Sequence, residues 1–143
     1  MPGIVCAIRG GPGSNPTIDK AVELAKEINE QLSFLFVVNL EFLAQTLSSR
    51  VATLSEQMHQ MGEFILLNAQ SRAEKQGVEA ATHIGQGKVV DSIIDLCKEL
   101  EARYVVIGRP RKGEGESPLS HSDVGGFLER LKQECGAKVI LAD

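Results

Sequence analysis

The amino-acid sequence predicts one α/β domain, residues 1–143, built as a doubly wound five-stranded parallel sheet with helices on both faces. Short apolar runs rich in β-branched residues alternate with longer segments whose apolar residues recur every three or four positions. The first of these runs, Ile4 to Ile8, is apolar throughout, as expected of a strand buried on both faces. Neither an internal repeat nor a linker interrupts 143 residues that are 43% hydrophobic, enough for one real core.

The first strand is read at Ile4 to Ile8 and ends in a glycine-rich stretch. Asn15-Pro16 then supplies a cap and a first-turn proline, and Ile18, Ala21, Val22, Ala25, Ile28 and Leu32 mark the apolar face of a helix. Phe34 to Val38 is the second strand. Leu47, Val51, Leu54, Met58, Met61, Ile65 and Ala69 predict a long amphipathic helix that covers the sheet and ends at Gly77. Val78 to Ile84 is the third strand, and Val89, Val90, Ile93, Ile94, Cys97 and Leu100 line the next helix. Tyr104 to Gly108 is the fourth strand. After a polar stretch from Arg109 to Ser122, Asp123 caps a helix bearing Val124, Phe127, Leu128 and Leu131, which Gly136 closes. Lys138 to Ala142 is the fifth strand.

Composition narrows the function. A formal net charge of −4, no Trp and one Tyr argue against a nucleic-acid binder, which needs a basic face and aromatic rings for bases to stack on. No apolar run is long enough to span a bilayer, and Met1 to Val5 lacks the basic start and apolar core of a signal peptide, so a cytoplasmic protein without a membrane partner is expected. Cys6, Cys97 and Cys135 show no C-x-x-C spacing and read as reduced thiols packed as small apolar groups in a reducing compartment.

Several of these segments are similar to the universal stress protein family. The similarity lies in the N-terminal strand and glycine-bearing turn, in Ala21 to Ala25 and in Phe34 to Val38. It continues through Val78-Glu79-Ala80-Ala81-Thr82-His83-Ile84-Gly85, Gly87, Ile93-Ile94 and Ala102 to Gly108, so that it covers the whole chain. The resemblance implies strand order 3-2-1-4-5, a homodimer made through the last strand and, in one branch of the family, ATP binding. That branch carries an Asp at the end of the first strand, and a G-x-x-G, nine residues and G-[ST] after the fourth. Here Arg9 holds the Asp position, Gly108 matches the first glycine, and Arg111 replaces the second. Gly125-Gly126 falls at the G-[ST] position, after a slightly longer loop and without the hydroxyl.

In doubly wound sheets ligands bind at the carboxyl ends of the strands, where the winding direction reverses. Two loops on that edge carry candidate binding chemistry. Arg9-Gly10-Gly11-Pro12-Gly13-Ser14 leads into a helix whose first N–H groups favour an anion. Its Gly10, Gly11 and Ser14 match the S-G-G-x-D-S phosphate loop of ATP pyrophosphatases, whereas Arg9 and Gly13 depart from it. Gly108-Arg109-Pro110-Arg111-Lys112 brings three basic residues into an acidic chain, suited to phosphate or carboxylate, although Glu114 and Glu116 offer local neutralisation. The candidate nucleotide or anion site is thus Arg9, Gly10, Gly11, Val38, Gly108, Arg109, Arg111, Gly125 and Gly126, with ATP or AMP as candidate ligand.

Other constellations have simpler readings. Ser120-His121-Ser122-Asp123 is a helix cap, since adjacency in sequence builds no relay. His59 and His83 lack a second ligand at metal spacing, and Gly85-Gln86-Gly87-Lys88 is a turn before it is a phosphate contact. Three functions follow in order: a regulatory, stress-response protein that binds an adenine nucleotide or another anion; a dimeric interaction module of the same family without nucleotide; and an ATP-cleaving enzyme, for which no acid/base pair or metal set is evident.

Overall fold

The computed structural model describes residues 3–8, 14–38, 48–87, 89–108 and 129–142, with side chains from 56 onward in the long helix and from 90 in the next. Its elements, in chain order, are β1 (Gly3–Ala7), α1 (Asn15–Ile28), β2 (Gln31–Val38), α2 (Ser48–Lys75), β3 (Ala80–Gln86), α3 (Val89–Leu100), β4 (Tyr104–Gly108) and β5 (Lys138–Ala142). A helical segment over 129–134 precedes β5. All strand pairs are parallel and the sheet order is β3-β2-β1-β4-β5, as the resemblance implied.

Successive residues of a strand point to opposite faces, and both faces here are apolar. Ile4, Cys6 and Ile8 join Leu32, Phe34, Phe36 and Val38 beneath α1 and α2, which contribute Ile18, Val22, Leu66 and small residues such as Ala21, Ala25, Ala69 and Ala73. Those alanines let the helices lie close to the sheet. Gly62 serves the same end on α2, because a Cβ there would sit 2.5 Å from the ring of Phe36. The opposite layer packs Val5, Leu35, Val105 and Ile107 against Ile93, Ile94, Leu96 and Cys97 of α3 and against Leu131.

Element boundaries differ from the sequence reading at several places: β1 is shifted by one residue, β3 runs on to Gln86, and three further differences have clear causes. Leu32 belongs to β2, fully buried, because Asn29 turns left-handed at φ 54° and ends α1 one turn earlier. Helical spacing simply coincided with the first inward residue of the strand. β3 begins at Ala80 instead of Val78, since the Val78 N–H is bonded to the Ala73 carbonyl as part of the closure of α2, with Gly77 at φ 87°. The helix cap falls on Ser14, leaving Pro16 in the first turn as expected.

Two helices are pinned across the layer they share. Arg72 of α2 donates from Nε and Nη2 to the two carboxylate oxygens of Asp19 on α1, at 2.7 and 2.8 Å, and Gln76 adds a third bond at 3.0 Å. These bonds, the Arg72 fork first among them, hold the Asp19 carboxyl below the usual carboxylate range.

Candidate functional site

The winding direction reverses between β1 and β4, which are direct neighbours at the centre of the sheet with Ala7 opposite Ile107. Their carboxyl ends therefore emerge side by side, and the first turn of α1 comes down onto both. The Cys6 thiol lies 3.9 Å from the Thr17 carbonyl, to which it donates. A Cβ placed on Gly108 would stand 3.0 Å from Thr17 Oγ1. Gly108 thus provides the clearance that lets the helix start sit against the end of β4. Thr17 was not singled out from the sequence; its place in the first turn was the available signal.

Such a junction has a definite chemistry. The first N–H groups of a helix have no partner within it, and the aligned peptide dipoles put partial positive charge there. No acidic residue occupies the first turn of α1 to offset that charge. A phosphate or carboxylate is the group such a junction favours. Ser14 and Thr17 are both buried, so the hydroxyl-bearing start of the helix belongs to the packed body of the protein.

Of the nine candidate site residues, the structure describes Val38 and Gly108. Gly108 ends β4 at the junction just described, paired with Ala142 of β5. Val38 ends β2, fully buried, and its carbonyl accepts a 2.9 Å bond from the Gly87 N–H. That bond commits the amide of Gly87, at φ 108°, to the sheet edge; Gly85 and Gln86, read from the sequence as part of a turn, are instead the last residues of β3, paired with Val37 and Val38. Arg9, Gly10, Gly11, Arg109, Arg111, Gly125 and Gly126 lie outside the described residues, as do the segment Ser120 to Asp123 and Lys88.

Beside the start of α1, a groove of about 530 Å³ runs between Ser14, Asn15 and Ile18 on one side and Phe64, Asn68 and Arg72 of α2 on the other. Two cationic residues, Arg72 and Lys75, line it, and Arg72 is engaged by Asp19. His59 and Gln86 are in hydrogen-bonding contact between α2 and the end of β3. Among the described residues no group of three or more His, Cys, Asp or Glu side chains is arranged to hold a metal ion, and no helix is long and apolar enough to cross a membrane.

Comparison with known proteins agrees with this architecture. The universal stress protein family profile matches residues 2–140. Universal stress protein YxiE of Bacillus subtilis (strain 168) is 26% identical over 146 residues, covering 96% of each chain. The structure of universal stress protein UspA from Lactobacillus plantarum superposes with a TM-score of 0.77 at 15% identity, over 99% of this chain and 97% of that one. The universal stress protein from Archaeoglobus fulgidus in complex with dAMP gives a TM-score of 0.64 at 18% identity, over 100% of this chain and 98% of the other. With the profile spanning nearly its whole length and the strand order to match, this chain belongs to the universal stress protein family.

Proposed function

We infer that this protein is a regulatory, stress-response binding protein that takes an adenine nucleotide or a related phosphate-bearing anion at the carboxyl edge between β1 and β4. The observation that carries this reading is the junction itself: the first turn of α1 meets the ends of β1 and β4 across Cys6 and Gly108, and a helix start at such a strand edge favours an anion. The dAMP complex of the Archaeoglobus relative supports the ligand class. Arg9, Arg109 and Arg111, together with Gly10, Gly11, Gly125 and Gly126, are the flanking residues proposed to contribute charge and backbone clearance.

Thermal-shift titration with ATP, AMP, dAMP and inorganic phosphate tests it, since a ligand preferring the folded state raises the melting temperature. A rise of several degrees at millimolar nucleotide is expected, and Arg9→Ala with Arg111→Ala should remove it. An absent shift with all four ligands would overturn the reading in favour of a family member that works through protein contacts alone.

A homodimer through β5 is part of the proposal. β5 pairs with β4 on one side, and its apolar residues Val139, Ile140 and Leu141 remain half-exposed at the sheet edge. An apolar strand edge of that kind is suited to a second strand. Light scattering should give twice the mass of one chain, falling to a single chain when Ile140 is replaced by Lys. A cytoplasmic location fits the three free thiols, which a reducing compartment preserves.

A further inference from the structure

The opposite, amino edge of the sheet carries a feature that ligand binding does not use. Cys97 sits on the inner face of α3 one turn after Ile93, and is buried at 1% exposure. Cys135 follows the helical segment 129–134, where its N–H and that of Gly136 both bond to the Leu131 carbonyl, at 2.9 and 3.1 Å. Gly136, at φ 70°, turns the chain there, and Cys135 comes to lie over the end of α3, with its side chain half-buried. Both residues line a hollow of about 670 Å³ that opens to solvent, and Cys135 packs against the buried cluster to which Cys97 belongs.

The register that brings them together is held on both sides. Arg130 bonds Asp91 at 2.9 Å, and Lys98 bonds Glu134 at 3.3 Å, so that the helical segment is tied along α3 on either side of Cys97 and just before Cys135. Cys6, by contrast, is fully buried in the other layer with no thiol neighbour described. Two thiols lining one open hollow, one nearly sealed and one half-buried, make a candidate reversible oxidation site.

We propose that Cys97 and Cys135 form a redox-sensitive pair that closes into an intramolecular disulfide when the protein meets a peroxide. Cys135, the reachable thiol, attacks one peroxide oxygen. The S–O bond forms as the O–O bond breaks, leaving Cys135 as a sulfenic acid and releasing water. Cys97 Sγ then attacks Cys135 Sγ; the S–S bond forms, the S–O bond breaks, and the departing oxygen takes the Cys97 proton and leaves as a second water. Two electrons pass from the sulfur pair to the peroxide, and a small thiol reductant reverses the change by exchange. Burial pushes the Cys97 thiol up from its ordinary range, which favours Cys135 as the first to react and Cys97 as the resolving partner.

The bond would staple the end of α3 to the turn before β5 and close a loop containing β4. By restricting the unfolded chain it should raise the melting temperature by roughly 5–10 °C. The test treats the folded chain with hydrogen peroxide, quenches, then alkylates in denaturant and weighs the product. One alkylatable thiol, Cys6, should remain of the three, and digestion with trypsin should join the peptides 89–98 and 133–138. Reduction should restore all three. In Cys97→Ser the crosslink should vanish and the sulfenic acid at Cys135 should be trapped by dimedone. Three alkylatable thiols after peroxide would overturn the proposal. So would wild-type protein in which Cys135 passes to sulfinic acid, or bonds a second chain, without the joined peptides.

Discussion

At the amino edge of the sheet the chain is stitched to itself, whereas at the carboxyl edge it is built around small residues and clearance. On the amino side the Arg103 N–H bonds the Gly3 carbonyl at 2.8 Å, and its own carbonyl accepts from the Lys138 N–H at 2.9 Å. Its guanidinium reaches Glu30 at 2.7 Å, and Lys98 pairs with Glu134 nearby. One residue therefore links β1, the turn after α1 and β5. On the carboxyl side Gly108 and Cys6 meet the first turn of α1 at Thr17. The backbone bonds centred on Arg103 make the amino edge a seam, whereas Gly108 leaves room at the carboxyl edge for the start of α1. The same polarity holds for doubly wound sheets in general, because every strand delivers its carboxyl end to a helix beginning.

Single substitutions break or sharpen this contrast. Phe34→Ala removes a fully buried ring from the strand beside β1, beneath both edges, and should cost about 3–5 kcal/mol in urea unfolding. It should weaken the two ends alike. Gly3→Ala and Gly108→Ala place the same methyl group at opposite edges. The first meets the Gln31 backbone carbonyl at 2.9 Å and should cost roughly 1–3 kcal/mol, because a ladder carbonyl cannot turn aside. The second meets a hydroxyl at 3.0 Å and should cost less than its counterpart while lowering any nucleotide-induced thermal shift. Equal stability losses would mean that the edges are equally stiff.

Arg103→Leu should be milder, about 1 kcal/mol, by leaving the Glu30 carboxylate, 12% exposed, without its cation. Its effect should fall on stability alone, and a changed ligand response would show that the two edges are coupled. The smallest effect belongs to Asp19→Asn, since Asp19 and Arg72 are 42% and 41% exposed and solvent screens them. The Asp19 carboxyl titrates lower in the folded chain than in the unfolded one, so its contribution is present above the unfolded value, near pH 4, and disappears as pH falls through the folded one. The melting temperatures of wild type and Asp19→Asn should differ by roughly 1–3 °C at pH 7 and converge in acid. A difference that persists in acid would assign the loss to packing.

Much of the fold was legible because periodicity is a local property. Tyr104 to Gly108 and Lys138 to Ala142 stand where the apolar runs put them, and Gly77 and Gly136 end helices with the left-handed backbone that glycine favours. Legibility failed at junctions such as Leu32 and Val78, where a strand residue fell on a helical repeat and where a helix closure borrowed an apolar residue. Of the candidate site, Gly108 was visible as a glycine ending a strand before a basic loop. Its contact with Thr17 was not, since the two are distant in sequence and nothing local marks either as the other's neighbour.

The sequence by itself determined which segments are strands and helices, that they alternate, and hence that the sheet is parallel and covered on both faces. Tertiary structure decided which ends meet. It set Thr17 against Gly108, linked Asp19 to Arg72, and placed Cys97 and Cys135 on one hollow. Backbone propensity and burial pattern act over a few residues and can be read along the chain. Contacts between distant residues depend on the packing of whole layers, which fixes the register of one helix on another only when the core has closed.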